Sequence, residues 1–265
     1  MTRKGAGRHA PFVQVSLAVH AASAGALLLA PEVWPAPVSA LLLNHLAIAW
    51  GTMWPRSRLL GANITRLSAP TAGRVALTFD DGPDPEVTPA VLELLNRQGA
   101  TASFFFVGKK VDAHPALAAE VLARGHTVEN HSYSHPNTFA FRGPSGLEQE
   151  VLRAQEAIER ATGRRPAYFR APVGIRNLWL EPCLRRAGLS LVSWTRRGFD
   201  TLTRDAARVA MRLVRGVRAG DILVLHDGGS ARDAAGRPVV LTALPLVLEA
   251  LARQSLRATS LPGAS

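Results

Sequence analysis

Leu77-Thr-Phe-Asp-Asp-Gly-Pro83 decides the fold, because it is an apolar run that ends in two adjacent carboxylates and a Gly-Pro turn. From about Arg74 onward, short β-branched or aromatic runs alternate with helical stretches that end at glycine. This alternation is typical of repeated β-α units, in which helices join parallel strands. We therefore expect an α/β catalytic domain that begins near residue 74.

Six strands and six helices are predicted in this region. The strands are Val75–Phe79, Ala102–Val107, Thr127–Asn130, Ala167–Arg170, Ser190–Trp194 and Ile222–Leu225. The helices are approximately Pro89–Gln98, Pro115–Arg124, Gly146–Ala161, Leu178–Ala187, Arg204–Arg218 and Leu241–Gln254. Residues 228–238 form the one long irregular insertion that we expect between these elements.

Polar residues that can do chemistry follow most of the predicted strands. In chain order they are Asp80 and Asp81, then His131 and His135, then Arg170, then Asp200, then His226 and Asp227. Because the carboxyl ends of the strands converge on one face of a parallel barrel, we expect these side chains to meet in one cleft.

A metal site in this chain has to be built from His, Asp or Glu, because Cys183 is the only cysteine. His131 and His135 would project from the same face if they lay on one helical turn, and a carboxylate could complete a three-ligand site. Oxygen and imidazole ligands suit zinc, cobalt, nickel or manganese. Taken alone, the histidine spacing fits surface or capping histidines equally well, and Asp80-Asp-Gly-Pro83 fits a simple acidic turn.

Four blocks in order are more specific than any of them singly. They are Leu77-Thr-Phe-Asp-Asp-Gly-Pro83, Asn130-His-Ser-Tyr-Ser-His-Pro136, Phe169-Arg-Ala-Pro-Val-Gly174 and Leu225-His-Asp227. Over roughly residues 73–255 the chain resembles the NodB-homology polysaccharide deacetylases, carbohydrate esterase family 4. The resemblance implies a distorted (β/α) barrel and metal-dependent hydrolysis of an acyl group, usually an N-acetyl group on an amino sugar.

The resemblance also implies a role for each matching residue. The metal ligands would be Asp81, His131 and His135, holding a divalent ion, Zn²⁺ before Co²⁺, Ni²⁺ or Mn²⁺. Asp80 would be the general base that takes a proton from the attacking water, and His226 would protonate the departing amine. Arg170 would orient the base and Asp200 would partner His226. On the residues alone, Arg170 could instead be an ordinary salt-bridge donor and Asp200 a helix cap.

The substrate-binding positions depart from the family pattern. Val173 replaces the aromatic residue that is usual in the third block, Thr201 replaces the tryptophan that commonly follows the aspartate matched by Asp200, and Val224 stands where leucine is frequent. The predicted substrate-binding set is Pro172, Val173, Gly174, Val224, Arg196 and Arg197. The two arginines would bind the phosphate of a lipid-linked sugar, although they could equally be solvated loop charges.

Two apolar segments precede the catalytic domain. Residues 12–30 and 36–54 contain no Asp, Glu, Lys or Arg, and about 20 helical residues cross a hydrocarbon core of roughly 30 Å. We predict a basic tail at 1–10, a two-helix membrane hairpin at 11–55, a linker at 56–73, the catalytic domain at 74–258 and a tail at 259–265. A cleaved signal peptide or two buried soluble helices are the alternatives.

The net charge of +11, from 31 basic and 20 acidic residues, is unevenly distributed. Residues 1–74 hold seven bases and one acid, so +6 of the excess flanks the apolar segments. The positive-inside rule then places both ends, and the catalytic domain, on the cytoplasmic face of a bacterial inner membrane. The remaining +5 is dispersed, which argues against a nucleic-acid partner.

These observations predict a membrane-associated hydrolase of carbon–nitrogen bonds that removes an acyl group from an amino sugar. The substrate would be a polysaccharide, an oligosaccharide or a lipid-linked glycan. Two alternatives stay open: deformylation or O-deacetylation of a lipid-linked sugar phosphate, and a catalytically silent carbohydrate-binding module.

Overall fold

The computed structural model describes residues 10–67 and 73–263. Most of the predicted basic tail, part of the predicted linker and the last two residues lie outside the described residues. Two α-helices come first, α1 (Pro11–Leu29) and α2 (Pro35–Met53), joined by a 3₁₀ turn at Pro31–Val33. Both helices are long and apolar enough to cross a membrane, as the sequence predicts.

The chain from residue 73 onward is a curled parallel sheet covered by helices. The strands are β1 (Arg74–Asp80), β2 (Ser103–Phe106), β3 (Thr127–Asn130), β4 (Tyr168–Phe169), β5 (Ser190–Leu191), β6 (Arg196–Arg197), β7 (Ile222–His226) and β8 (Arg257–Thr259). The helices are α3 (Val87–Arg97), α4 (Gly108–Ala113), α5 (Pro115–Ala123), α6 (Pro144–Thr162), α7 (Leu180–Ala187), α8 (Ala206–Val214) and α9 (Val239–Arg253). The predicted distorted (β/α) barrel is confirmed.

The strand order is β5-β4-β3-β2-β1-β7-β6, with β8 paired to the beginning of β1. All these pairs are parallel, so every strand points its carboxyl end toward the same rim. In the register of β1 and β7, Asp80 lies opposite His226. Two residues 146 positions apart are therefore neighbours at that rim.

Successive side chains along each strand point to opposite faces of the sheet, and both faces are covered by apolar side chains. Phe104 and Phe106 of β2 face the helices, and Phe104 stacks on Phe79 with ring centroids 5.0 Å apart. Phe105, between them, belongs to a separate cluster on the inner face of the sheet. Strands buried on both faces read as continuous apolar runs, which is why the sequence reveals them.

Four elements differ from the sequence prediction. The predicted strand Ser190–Trp194 is shorter, and the chain bends at residues 192–195 to begin β6. β6 and β8 were not predicted, because Arg196–Arg197 and Arg257–Thr259 are too short and too polar to give a strand pattern. α4 was also not predicted, since its Gly-Lys-Lys beginning lacks apolar periodicity.

Helix α4 holds the loop after β3 in place. The backbone N–H of Gly108 donates to the Ser132 carbonyl over 3.0 Å, and that of Lys109 donates to the Tyr133 carbonyl over 2.8 Å. A Cβ atom on Gly108 would lie 2.8 Å from Cα of Ala154 in α6. Glycine is therefore needed for the close approach of the two helices.

We predict that Gly108→Ala lowers the free energy of unfolding by about 1–3 kcal/mol, because the added methyl group overpacks the contact between α4 and α6. Gly143→Ala is the matched control, since Gly143 has φ −71° and no atom lies within 4 Å of the position that its added methyl group would occupy. That variant should stay within about 0.5 kcal/mol of the wild type. Urea unfolding of the detergent-solubilised chain measures both, and equal stability of the two variants would contradict the packing argument.

Candidate active site

The predicted site residues converge at the carboxyl rim of the sheet. Asp80 is the last residue of β1 and His226 the last of β7, while His131 directly follows β3 and Arg170 directly follows β4. Asp80, His131 and His226 border one cleft of about 260 Å³, whereas Arg170 is not part of its lining. Its lining consists of Asp80, Asp81, His131, His135, Ala171, Val173, Gly174, Trp194, Arg197, Thr201, Val224, His226 and Gly229.

Arg170 is buried beneath this cleft and holds Asp80. Its Nη1 atom donates to Oδ1 of Asp80 over 2.6 Å and to Oγ1 of Thr78 over 2.8 Å. Nη2 donates to the Ser193 carbonyl, and the guanidinium lies 4.0 Å from the centroid of the Phe105 ring. Because Thr78 on β1 and Ser193 after β5 also hold the guanidinium, Arg170 fixes the orientation of the Asp80 carboxylate. Because its side chain is buried, Arg170 is not the ordinary surface salt-bridge donor that the sequence also allowed.

Asp81, His131 and His135 place three ligand atoms within 4.8 Å of one another. Nε2 of His131 lies 3.3 Å from Oδ1 of Asp81, and Nε2 of His135 lies 3.1 Å from the same oxygen. The two histidines do not share a helical turn, so the helical arrangement considered for them does not occur. They lie on a loop in which Ser132 and His135 have φ of 64° and 48°. Hydrogen bonds to the side chains of Asn130 and Ser132 stabilise this loop.

The charges in this triad fit a divalent cation. Nδ1 of His131 pairs with the Arg170 carbonyl at 2.8 Å, so that nitrogen carries the proton and Nε2 presents a lone pair. Oδ1 of Asp81 is buried without a hydrogen-bond donor. Burial lowers the pKa of His135, which favours a neutral, metal-binding imidazole. Two imidazole lone pairs and a carboxylate oxygen that face each other are a ligand set that fits a divalent cation.

His226 forms a second unit with Asp200. Its Nδ1 atom lies 2.9 Å from Oδ1 of Asp200, and its backbone N–H donates to Oδ2 over 2.8 Å. Burial would lower the pKa of His226, but the hydrogen bond and charge of Asp200 outweigh burial and raise it. Asp200 is not the cap of the following helix, since Asp205 caps α8 by accepting from the Arg208 N–H.

Not every predicted substrate-binding residue borders the cleft. Val173, Gly174, Val224 and Arg197 line it, whereas Pro172 is buried and is not part of the lining. Arg196 points away: its Nε atom lies 2.9 Å from Oδ2 of the buried Asp221, and its other nitrogens donate to carbonyls after α8. Neighbouring residues of a strand face opposite sides, so Arg196 and Arg197 cannot both enter the cleft.

Trp194 is a cleft residue that the sequence interpretation missed. Its ring lies 5.4 Å from the guanidinium carbon of Arg197, and it borders the cleft beside Gly174. The cleft therefore keeps an aromatic face, although Val173 and Thr201 replace aromatic residues of the family pattern. The available signal was an aromatic residue at the carboxyl end of a predicted strand.

Unfavourable backbone conformations also cluster here. Of the six described non-glycine residues with positive φ, five belong to the site or its rim: Asp81, Ser132, His135, Val173 and Phe199. Such conformations persist where the surrounding structure fixes them, and they are frequent in active sites. The loops of this cleft are therefore shaped for function at some cost in stability.

Comparison with known proteins agrees with this geometry. Residues 68–192 match the family model "Polysaccharide deacetylase". The chain is 35% identical to a chitooligosaccharide deacetylase of Bradyrhizobium over 71% of this chain and 89% of the relative, and 34% identical to a peptidoglycan-N-acetylglucosamine deacetylase of Bacillus cereus over 69% and 84%. A family 4 carbohydrate esterase from Streptomyces lividans, solved with acetate, superimposes with a TM-score of 0.63 at 30% identity, covering 70% of this chain and 91% of that one. The fold, the cleft and these relatives together establish that the chain belongs to the polysaccharide deacetylase family, carbohydrate esterase family 4, and is a hydrolase of non-peptide carbon–nitrogen bonds.

Proposed function

We propose that this deacetylase removes the N-acetyl group from an amino sugar of a chitooligosaccharide-like or peptidoglycan-like glycan, with a divalent metal ion held by Asp81, His131 and His135. The observation that carries the proposal is the convergence of this triad with Asp80 and His226 in one cleft. The named substrates of the Bradyrhizobium and Bacillus cereus relatives support the choice of sugar. Zn²⁺ is the first candidate for the metal because two imidazoles and one carboxylate suit it.

A bound divalent ion would supply Lewis acidity, polarising the acetyl carbonyl and making water more acidic. Asp80 is placed to take the proton from the attacking water, because Arg170 fixes its carboxylate next to Asp81. Asp81 serves the cation, so the two adjacent carboxylates have separate tasks. The backbone N–H near Val173, at the edge of the cleft, is our candidate donor to the oxyanion.

His226 completes the reaction as the general acid. Asp200 binds Nδ1 and leaves Nε2 to donate a proton to the sugar nitrogen as the C–N bond breaks. Water adds to the acetyl carbon, acetate leaves with the new oxygen, and the nitrogen departs as a free amine. Without this proton the nitrogen would have to leave as an amide anion, which is a very poor leaving group, so the intermediate would revert.

Substitution of Asp80, the proposed general base, should affect catalysis but not metal binding. Asp80→Asn keeps an oxygen that accepts from Arg170 but cannot take a proton, and we expect a loss of about 10²–10⁴-fold in kcat with metal content unchanged. His131→Ala should lose both activity and metal, and a chelator should inactivate the wild type. Acetate release, metal analysis and circular dichroism measure these outcomes. Substantial activity in Asp80→Asn would refute its role.

Because His226 is the proposed general acid, we predict a pH dependence of the activity with a definite sign. His226 must be protonated to donate, so activity falls as pH rises through its pKa, which Asp200 raises. Asp200→Asn removes that charge, and the alkaline limb of the kcat profile should move to lower pH. Asp205→Asn, which removes the charge of the α8 cap, is the control and should leave the limb in place. An unmoved limb in Asp200→Asn would contradict the pairing.

We also propose that α1 and α2 anchor the enzyme in a membrane, with the catalytic part on the cytoplasmic face as the positive-inside rule indicates. Only 17% of each apolar window is buried, which argues against helices in a soluble core. The helices contact each other through a hydrogen bond of 2.9 Å from Asn44 to Ser16 and through the rings of His20 and His45. Polar contacts between otherwise apolar helices are typical of membrane hairpins.

A lipid-linked sugar phosphate is the second candidate substrate, which would be deacetylated or deformylated by the same residues. Arg197 favours it: the guanidinium borders the cleft between the rings of Trp194 and Phe199, and among the described residues it has no ion pair. Its buried Nε atom has no hydrogen-bond partner. A phosphate oxygen would satisfy this donor and this charge.

We predict that Arg197→Ala raises the KM for an acetylated polyprenyl-phosphate sugar about tenfold or more, the usual worth of a charge-assisted hydrogen bond. The KM for a soluble acetylated oligosaccharide should change much less, because that substrate carries no phosphate. Steady-state acetate release with the two substrates in the same detergent measures both constants. Equal effects on the two would eliminate the phosphate-binding role.

A further inference from the structure

Large apolar side chains are exposed around the mouth of the cleft. Among residues 73–263, seven large apolar side chains are exposed, and five of them lie on loops that follow the carboxyl ends of strands. These five are Phe141, Val173, Trp179, Phe199 and Leu202. Phe141 is 89% exposed and Leu202 is 78% exposed. Scattered exposed residues need no explanation, but a concentration on one rim indicates a contact surface.

The end of the hairpin is fastened to this same rim. Oγ of Ser193 donates to the Pro55 carbonyl over 2.6 Å, and Arg56 donates to the Thr195 carbonyl over 3.3 Å. The buried Arg176 donates to the Ser57 carbonyl, and its backbone N–H donates to the carbonyl of Thr52. The last turn of α2 and the residues directly after it therefore contact both loops that carry Gly174 and Trp194 into the cleft.

Asn177 extends this connection to the aromatic rim residues. Its side-chain amide donates to the carbonyls of Ala140 and Arg142, each over 2.9 Å, so the Phe141 turn is tied to the loop that leads to Trp179. On the hairpin side, Trp50 and Trp54 are 57% and 45% exposed. Tryptophan at the end of an apolar helix marks the interface between lipid and water.

We propose that the rim of the cleft is a membrane-contact surface, and that Phe141, Trp179 and Leu202 insert into the interfacial layer of the bilayer in which the hairpin is anchored. The proposal rests on the membrane anchoring proposed above. The exposed bases Arg56, Arg58 and Arg204 accompany the apolar residues, a combination that suits anionic headgroups. The cleft then opens at headgroup level, where an amino sugar attached to a lipid is presented directly to it.

Site-specific quenching in proteoliposomes tests this proposal. Each of Phe141→Cys, Leu202→Cys, Leu43→Cys and Met211→Cys is made in the full chain with Cys183→Ala, and the new thiol is labelled with a fluorescent nitrobenzoxadiazole. The vesicles contain phosphatidylcholine and phosphatidylglycerol with or without brominated acyl chains. Interfacial insertion of about 5–10 Å brings a label close to the bromines. We expect loss of fluorescence at Phe141 and Leu202.

The other two positions are matched controls. Leu43 is 67% exposed on α2 and reports insertion of the hairpin, whereas Met211 is 54% exposed on helix α8 and does not belong to the loops that carry the five rim residues. Quenching at Leu43 but not at Phe141 or Leu202 would overturn the rim proposal and leave the anchoring intact. Lack of quenching at all positions would overturn both. Protection of the rim labels from aqueous iodide without bromine quenching would place a second protein copy on the rim, and would also overturn the proposal.

A kinetic experiment distinguishes membrane contact by the rim from catalysis in the cleft. Phe141→Ser with Leu202→Ser should lower kcat/KM about fivefold or more for a lipid-linked acetylated sugar in vesicles, because apolar contact with the interface is lost. Acetate release from a soluble acetylated oligosaccharide should be unchanged, since neither side chain lines the cleft. Unchanged turnover of both substrates would overturn the rim proposal. Lack of turnover of either substrate by the wild type would instead refute the proposed function.

Discussion

The buried ion pair between Arg170 and Asp80 is the constraint on which the rest of the site depends. A guanidinium removed from water must have its donors satisfied, and losing one partner of such a pair costs about 3–5 kcal/mol. Arg170 meets this need with oxygens from β1 and from the bend after β5, while its own carbonyl fixes the ring of His131. One buried residue thus fixes the Asp80 carboxylate and the bend after β5 through its side chain, and the His131 ring through its backbone carbonyl.

The convergence of the candidate site residues could be predicted from the sequence because a parallel sheet has a simple geometry. Once β1, β3, β4 and β7 were identified as strands, Asp80, His131, Arg170 and His226 had to lie at the same rim. The fold and the convergence of these residues followed from apolar runs and their polar ends. The division of labour between Asp80 and Asp81 came from resemblance to a family, since nothing in two adjacent aspartates distinguishes a ligand from a base.

The errors arise where tertiary contacts override local pattern. Two arginines in a row gave no sign of being a strand, so their opposite directions were missed, and only Arg197 borders the cleft. The four-residue spacing of His131 and His135 suggested a helical turn, but contacts with Asn130 and Ser132 hold a loop there. Trp194 entered the cleft because the chain bends immediately after β5, which no local pattern announces.

That bend has a consequence for the behaviour of the protein in solution. The two edge strands, β5 and β6, belong to one continuous stretch, residues 190–197, so a single segment provides both edges of the curled sheet. Ile64 pairs alongside Val192 and occupies hydrogen-bonding groups at that edge. Unpaired strand edges are templates for pairing with other chains and for aggregation. By closing its sheet with one bent segment and a short piece of preceding chain, this enzyme limits the backbone that another molecule could extend into a shared sheet.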